Sequence, residues 1–301
     1  MKRVLNSIFS LFVLLLLISC GKDIIDPNAN ITYQKETDSY ILDISAYSYD
    51  KIITPEYGND GINGKKKITI ICGINSNVKN LNIPYAITVS IHCSNLKYLN
   101  LGKNINKFYF ELESLENIEL SKDNKTFKVL DNVIYSYDMS SLLFVPNYIN
   151  KDNFIIPDSV KLIDSNAFSN NKTIEQIIFN ESLEKIGSYA FAKMERLESI
   201  KVNAGLKEIG AWCFAENRNL KSASLECQIE ILEDSVFYNC FSLEKIYLEN
   251  KIKEIHKYAF GDGFEEITKK VYFKGTQAEW DEISKSDQLF LNNVEIICQN
   301  S

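Results

Sequence analysis

Ser182-Leu-Glu-Lys-Ile-Gly-Ser-Tyr-Ala-Phe191, followed closely by Leu197-Glu-Ser-Ile-Lys-Val202, is one line of a pattern that returns every 23 residues between Ile156 and Phe260. Ile163, Ile186, Ile209, Leu232 and Ile255 share one phase, and Phe168, Phe191, Phe214, Phe237 and Phe260 follow them in the same step. Val160, Leu183, Leu206, Ile229 and Ile252 keep a second phase just upstream. A further set, Ile174, Leu197, Leu220 and Leu243, precedes the triplets that end at Phe179, Val202, Leu225 and Leu248. Segments such as Leu197 to Val202 alternate apolar and polar residues, which is the period of a half-buried strand.

A period of this length with a Leu-x-x-Ile-x-Val core is the signature of a leucine-rich solenoid. One repeat cannot bury its apolar face alone, so each stacks on its neighbours and the core becomes a column. The fold predicted is mainly β: a right-handed, curved stack of parallel strands, two short strands per repeat, closed by a short C-terminal helix. Rungs lie about 4.8 Å apart in such a stack. The five Phe side chains then form an internal pile. A smaller residue precedes each of them, Ala167, Ala190, Cys213, Val236 and Ala259, as close packing at a tight bend requires.

The lines Ile156-Pro-Asp-Ser-Val-Lys-Leu-Ile163 and Ser182 to Phe191 resemble the BspA-like leucine-rich repeat family of bacterial surface proteins. Its repeats read roughly Ile-Pro-x-Ser-Val-x-x-Ile-Gly-x-x-Ala-Phe-x-x-Cys-x-x-Leu. The Cys of that line is kept at Cys240 and replaced by Asn171, Met194 and Asn217; the Gly is kept at Gly187 and Gly210 and replaced by Asp164, Glu233 and His256. The resemblance covers about residues 75 to 300. It implies a surface protein that binds host matrix proteins or other macromolecules.

The chain has 301 residues, 45% of them hydrophobic, enough for a sizeable core. Length alone suggests two domains, whereas the repeats argue for one elongated domain. A net charge of -7 speaks against nucleic acid as a partner, because phosphate binding needs a concentrated basic face. With 2 His and 7 Cys, none in a Cys-x-x-Cys pair, the chain has no spacing for zinc or thioredoxin-like chemistry. Cys213 and Cys240 read as small core residues, while the disulfide state of Cys72, Cys93, Cys213, Cys227, Cys240 and Cys298 stays open.

Residues 1–19 carry Lys2 and Arg3 before the apolar run Leu11 to Ile18, which is the layout of an export signal and short for a membrane span. Leu17-Ile-Ser-Cys20 resembles the bacterial lipobox, which makes Cys20 the lipid-bearing first residue of the mature protein. More than one acyl chain gives a stable membrane anchor where one gives a reversible one. Residues 20–35 read as a tether, 36–75 as an N-terminal cap, and 76–301 as the solenoid. A phosphate-loop reading of Gly64-Lys65 fails, because Asn59 and Lys66 stand where Gly and Ser or Thr are needed.

Shorter repeats follow at Val78 to Ile83, Leu96 to Leu101 and Leu115 to Leu120; His92 among them reads as structural, having no partner at metal spacing. An excess of residues near 121–153, with Val133 to Tyr135 and Leu142 to Val145, reads as a hairpin insertion. The C-terminal cap spans 274–301: Thr276-Gln-Ala-Glu279 is a capping-box sequence, Trp280 covers the end of the core, and Val294 to Ile297 adds a last strand.

No sequence pattern singles out a catalytic set. Glu184, Glu208, Glu230 and Glu254 repeat beside Lys185, Lys207 and Lys253, which makes a solvated charge ladder. The polar phases of the main strands are the other surface: Ile178, Lys201, Ser224, Tyr247 and Tyr272 in one, Gln176, Ser199, Ser222, Lys245 and Lys270 in the next. In a curved solenoid these columns line the concave binding face. The expectation is therefore a non-catalytic outer-membrane lipoprotein, facing the cell surface or the periplasm, monomeric, without cofactor or metal. It takes a protein or glycan ligand on Lys201, Ser224, Lys245, Tyr247, Lys270 and Tyr272. The alternative is an envelope carbohydrate-binding accessory protein or weak glycan hydrolase, using the tyrosines as a sugar platform.

Overall fold

The computed structural model describes residues 78–300 except 84–85, 203–204, 262–266 and 287–292, together with the backbone of the strands at 30–34, 39–43, 51–53 and 67–72. The expected signal peptide, Cys20 and most of the tether lie outside the described residues. The chain read as one elongated domain divides into two compact units, Met1–Val129 and Leu130–Ser301.

The first unit contains β1 (Asn30–Gln34), β2 (Ser39–Asp43), β3 (Lys51–Ile53), β4 (Lys67–Cys72), β5 (Asn80–Ile83), β6 (Thr88–Cys93), β7 (Tyr98–Leu101), β8 (Lys107–Leu112) and β9 (Asn117–Leu120). After β1 turns antiparallel onto β2, the strands alternate between two parallel ladders, β2-β4-β6-β8 and β3-β5-β7-β9. The strands expected in the cap at 36–75 are thus members of the same two ladders. Alternation decides which side is buried: Leu81, Ile83, Val89, Ile91, Leu99, Leu101 and Ile118 are all at most 2% exposed. Buried Asn124 ties one turn to the preceding one, donating to the Ile105 carbonyl at 2.8 Å and accepting from the Thr126 and Phe127 amides at 2.8 Å each. Cys93 is disulfide-bonded.

A strand at Phe127–Leu130, β10, spans the boundary between the units. The second unit then opens with an antiparallel hairpin, β11 (Val133–Ser136) and β12 (Ser141–Phe144). Its turn is held by Asp138, whose carboxylate accepts from the hydroxyls of Ser136 at 2.6 Å and Ser140 at 2.9 Å. Those bonds hold the Asp138 pKa down at about 2. From here each 23-residue turn gives one strand to each of two parallel ladders. On one side β13 (Asn153–Ile155) and β15 (Gln176–Ile178) form a pair of their own, and the main ladder takes β17 (Ser199–Lys201), β19 (Ser222–Leu225), β21 (Lys245–Glu249), β23 (Lys269–Lys274) and β25 (Val294–Cys298). The short ladder runs in two pieces, β14 (Leu162–Ile163), β16 (Lys185–Ile186) and β18 (Glu208–Ile209), then β20 (Ile231–Leu232), β22 (Glu254–Ile255) and β24 (Ser284–Lys285). The register is the repeat itself: Lys185 lies beside Glu208, and Ser199 beside Ser222. At β23 it slips by two, so that Lys245 faces Lys270.

Each turn has a third side that is hydrogen-bonded without being a strand. Phe168, Phe191, Phe214 and Phe237 donate their amides to the carbonyls of Ala190, Cys213, Val236 and Ala259 at 2.8 to 3.0 Å. Here the backbone takes left-handed conformations at a fixed phase: Asn166, Tyr189, Trp212, Ser235 and Tyr258 have φ between 57° and 61°. Left-handed backbone costs roughly 1–2 kcal/mol for a residue with a side chain, and only Asn among these types is at home there. The rung-to-rung bonds and the Phe seated two positions later hold it. The sequence located the bend but not the residue that bends.

The phenylalanines are internal, at 0% exposure for Phe168, Phe191, Phe214 and Phe237 and 1% for Phe260. Their rings pile at centroid separations of 4.8, 5.4 and 5.7 Å from Phe168 to Phe237. The family's Cys position explains itself beside them. The Cys240 thiol donates to the Phe214 carbonyl. Asn217 donates to the Phe191 and Phe214 carbonyls and accepts from the Met194 amide at 2.8 Å, serving the rung where Met194 cannot. An Asn here does more of the backbone's hydrogen bonding than the Cys it replaces. Past Phe260 the column ends on Phe273 and Trp280, in edge contact at 5.3 Å. Trp280 lies on α1 (Gln277–Glu282), whose capping box at Thr276 and Glu279 is formed and whose Glu279 carboxyl that box holds below its ordinary pKa.

Candidate binding face

The outer side of the main ladder carries two columns set by register alone. Ser199, Ser222, Lys245, Lys270 and Glu295 follow one another in the first; Lys201, Ser224, Tyr247, Tyr272 and Ile297 in the second. All the residues expected in the site on this face, Lys201, Ser224, Lys245, Tyr247, Lys270 and Tyr272, are therefore brought together. The tyrosines differ from their expected form. They are half-buried rather than exposed, and they stack on each other at 4.9 Å with planes 13° apart. One face of each ring is spent on the other.

The lysines differ from the rest of the array. Most array lysines meet a glutamate one turn away: Lys172 with Glu195, Lys185 with Glu208, Lys193 with Glu216, Lys207 with Glu184, Lys221 with Glu198 and Lys253 with Glu230. The Lys207 hydrogen bond and charge hold the Glu184 carboxyl below its ordinary range. Lys201 and Lys245 have no such partner among the described residues, and Lys270 has only Glu295 at 3.7 Å. Two carboxylates border this patch, one bound to Lys274 and one to Ser224 within the patch. Glu249 binds Lys274 at 2.7 Å and raises its pKa, and Glu226 accepts from the Ser224 hydroxyl at 2.9 Å.

The short ladder presents a groove of about 770 Å³ over Ser165, Gly187, Ser188, Glu208, Gly210 and Glu230. A Cβ at Gly187 would lie 2.5 Å from the Ser165 amide nitrogen, and one at Gly210 2.4 Å from that of Ser188. These glycines serve the close approach of successive rungs. Sequence reading also missed an outer aromatic row on the third side, where Tyr189 stacks on Trp212 at 5.7 Å and Trp212 meets Tyr238 at 5.0 Å. Its signal was present: Tyr189, Trp212 and Tyr258 share the 23-residue step.

The first unit brings a carboxylate from the next turn to a serine and histidine two residues apart on β6. His92 meets the Ser90 hydroxyl at 3.0 Å through Nε2 and the Glu111 carboxylate at 2.8 Å through Nδ1. Hydrolytic serines have this order of contacts. Here Ser90 is 5% exposed, and β6 is hydrogen-bonded on both edges, so its amides are already committed. Among the described residues no donor pair is placed for an oxyanion, and His92 links β6 to β8 through Glu111. His256 likewise lies between Glu233 at 3.1 Å and Glu254 at 3.2 Å. Among the described residues no group of His, Cys, Asp and Glu is arranged to hold a metal, and no helix is long and apolar enough to cross a membrane. Cys213, Cys227 and Cys240 are free and buried, and burial pushes the Cys227 thiol up to about 11.

Comparison with known proteins agrees with this geometry. Residues 138–264 match the BspA type leucine rich repeat region in six copies. The chain is similar to a leucine-rich repeat protein from Eubacterium ventriosum, with 16% identity and a TM-score of 0.52 over 75% of this chain and 77% of that one. It is also similar to the pneumococcal vaccine antigen PcpA, with 20% identity and a TM-score of 0.57 over 84% of this chain and 71% of that one. At these identities the likeness is one of fold. No curated protein matches the chain. A 23-residue step, an internal Phe pile and two parallel ladders per turn are the geometry of the segment, residues 138–264, that matches the BspA type leucine rich repeat region.

Proposed function

We propose that this is a non-catalytic lipoprotein of the bacterial surface that binds a macromolecule on the outer side of its main ladder. The observation that carries the reading is the convergence of Lys201, Lys245, Lys270 and the Tyr247–Tyr272 stack in an array whose other lysines are mostly paired. Unpaired like charges on a rigid sheet are complementary to a partner of opposite sign. The repeat family suggests the same kind of role, binding or adhesion. The export-signal layout of residues 1–19 and the resemblance of Leu17 to Cys20 to a lipobox support an outer-membrane location.

Protease shaving of intact cells tests the location. Loss of the protein from unbroken cells supports it, and full protection places the protein on the periplasmic side. Cys20→Ala is expected to move the protein from the membrane to the aqueous fraction; unchanged partition overturns lipidation. Binding itself is tested by probing protein and glycan arrays with the full chain in detergent. Saturable signals that fall in Lys201→Gln/Lys245→Gln support the face, and signals indifferent to that change remove it. A hydrolase has less to stand on, since the array carboxylates Glu184, Glu208 and Glu230 are each tied to a lysine.

A further inference from the structure

We infer that the ligand of the main-ladder face is an anionic polysaccharide, one carrying uronate or sulfate groups along an extended chain. This rests on the binding face proposed above and deepens it. Three features of the patch select the chemistry.

The first is charge. Lys201 and Lys245 are exposed and have no carboxylate partner among the described residues, in a chain whose net charge is -7. Six array lysines elsewhere are cancelled by a glutamate one turn away, although Lys161, Lys251 and Lys257 among the described residues are not; here Lys245 and Lys270 lie side by side in register, like beside like. Neighbouring like charges destabilise a sheet surface. A polyanion lying across both relieves that.

The second is the lack of an apolar anchor. Protein partners are held chiefly by aromatic or aliphatic side chains sunk into dry pockets. The surface between the lysines is Ser199, Ser222 and Ser224, and the tyrosine faces are closed against each other at 4.9 Å. What remains is the ammonium groups of Lys201, Lys245 and Lys270 and the hydroxyls of Ser199 and Ser222, which donate hydrogen bonds to carboxylate, sulfate and sugar oxygens, while the Ser224 hydroxyl is already given to Glu226 and Lys270 borders Glu295. The apolar members of the same phase, Ile155 and Ile178, lie on the separate pair β13 and β15. The stacked tyrosines narrow the expected sugar platform, because the ring faces turned to each other are closed to a pyranose.

The third is spacing. Rungs of a parallel stack repeat at about 4.8 Å, whereas same-face side chains of an extended peptide repeat at roughly 6.6 Å. A sugar residue in an extended chain is about as long as one rung, so charged residues of the glycan keep step with Lys245 and Lys270 and reach Lys201 two rungs away.

The test uses the full chain in detergent with heparin, polygalacturonate, uncharged dextran and poly-glutamate as probes. Expected are saturable binding to heparin or polygalacturonate that weakens steeply with salt, none to dextran, and at least tenfold weaker binding to poly-glutamate. Lys201→Gln/Lys245→Gln should weaken polysaccharide binding at least tenfold, and Tyr247→Ala/Tyr272→Ala several-fold. Lys253→Gln, from a paired position on the short ladder, should leave it unchanged. Unaltered circular dichroism and melting of each variant show that folding is not the cause. Failure to bind either polyanion, equal binding to poly-glutamate, or indifference to the Lys201/Lys245 change overturns the inference. If a protein ligand from the array is lost in the same double variant while both polysaccharides fail, the face stands and only its ligand class is wrong.

Discussion

The short ladder and the main ladder of the second unit rest on the same interior, yet the pairing of opposite charges that runs along the short ladder, and returns on the main ladder at Glu249 and Lys274, is broken on the main ladder at Lys201 and Lys245. On the short ladder, Glu184 meets Lys207, Lys185 meets Glu208 and Glu230 meets Lys253, each pair one repeat apart. On the main ladder, Lys245 faces Lys270, and Lys201 and Lys245 meet no carboxylate among the described residues. Because register equals the repeat length, alternating sign from turn to turn cancels charge, while repeated sign accumulates it. One face therefore keeps the stack soluble and in step, and the other is left with a field that a partner can use. The architecture is neutral between these uses, and side-chain choice at one phase decides.

The comparison breaks first at the interior the two faces share. Phe214→Ala should destabilise by about 3–5 kcal/mol, as truncation of a buried aromatic does, measured by urea unfolding. A near-neutral result would show that the column does not support both ladders. Asn217→Ala should cost about 1–3 kcal/mol, because the Met194 amide and the Phe191 carbonyl lose the Asn217 side chain inside the core; the same melts check it.

Smaller effects sharpen the contrast between the faces. A double-mutant cycle on Glu230 and Lys253, which are 59% and 70% exposed, should give a coupling of about 0.2–1 kcal/mol that fades in high salt. A value of several kcal/mol would make the ladder a structural clamp rather than a solubilising surface. Least of all in energy, native-state alkylation should spare Cys213, Cys227 and Cys240 and modify them only after unfolding. The Cys227 thiol ionises near pH 9 when unfolded and about 11 when folded, because burial disfavours the thiolate. Its contribution to stability is therefore present below pH 9 and lost as pH rises toward 11. Rapid labelling at neutral pH would mean that the interior under both ladders is open.

Several parts of the candidate site were legible as phase. Lys201, Ser224, Tyr247 and Tyr272 share a column because a parallel stack turns equal sequence steps into neighbours, and the two-residue slip at β23 was visible in where Lys270 and Tyr272 fall. Other parts were not. The serine, histidine and glutamate at Ser90, His92 and Glu111 come together across a 19-residue turn, and only side-chain rotamers decide that they touch. The half-burial of Tyr247 and Tyr272 is likewise a rotamer outcome, since the same two residues could have splayed apart.

By itself the sequence determined the periodic core: which residues point inward, that the phenylalanines stack, and that the chain closes on a capped helix bearing Trp280. Those follow from hydrophobic period and turn chemistry, which act locally and repeat. Only the tertiary structure decided which charges find partners, which backbone positions are left-handed, and that the tyrosine faces are closed to one another. These depend on distances of a few ångströms between side chains a full turn apart, where no local rule reaches.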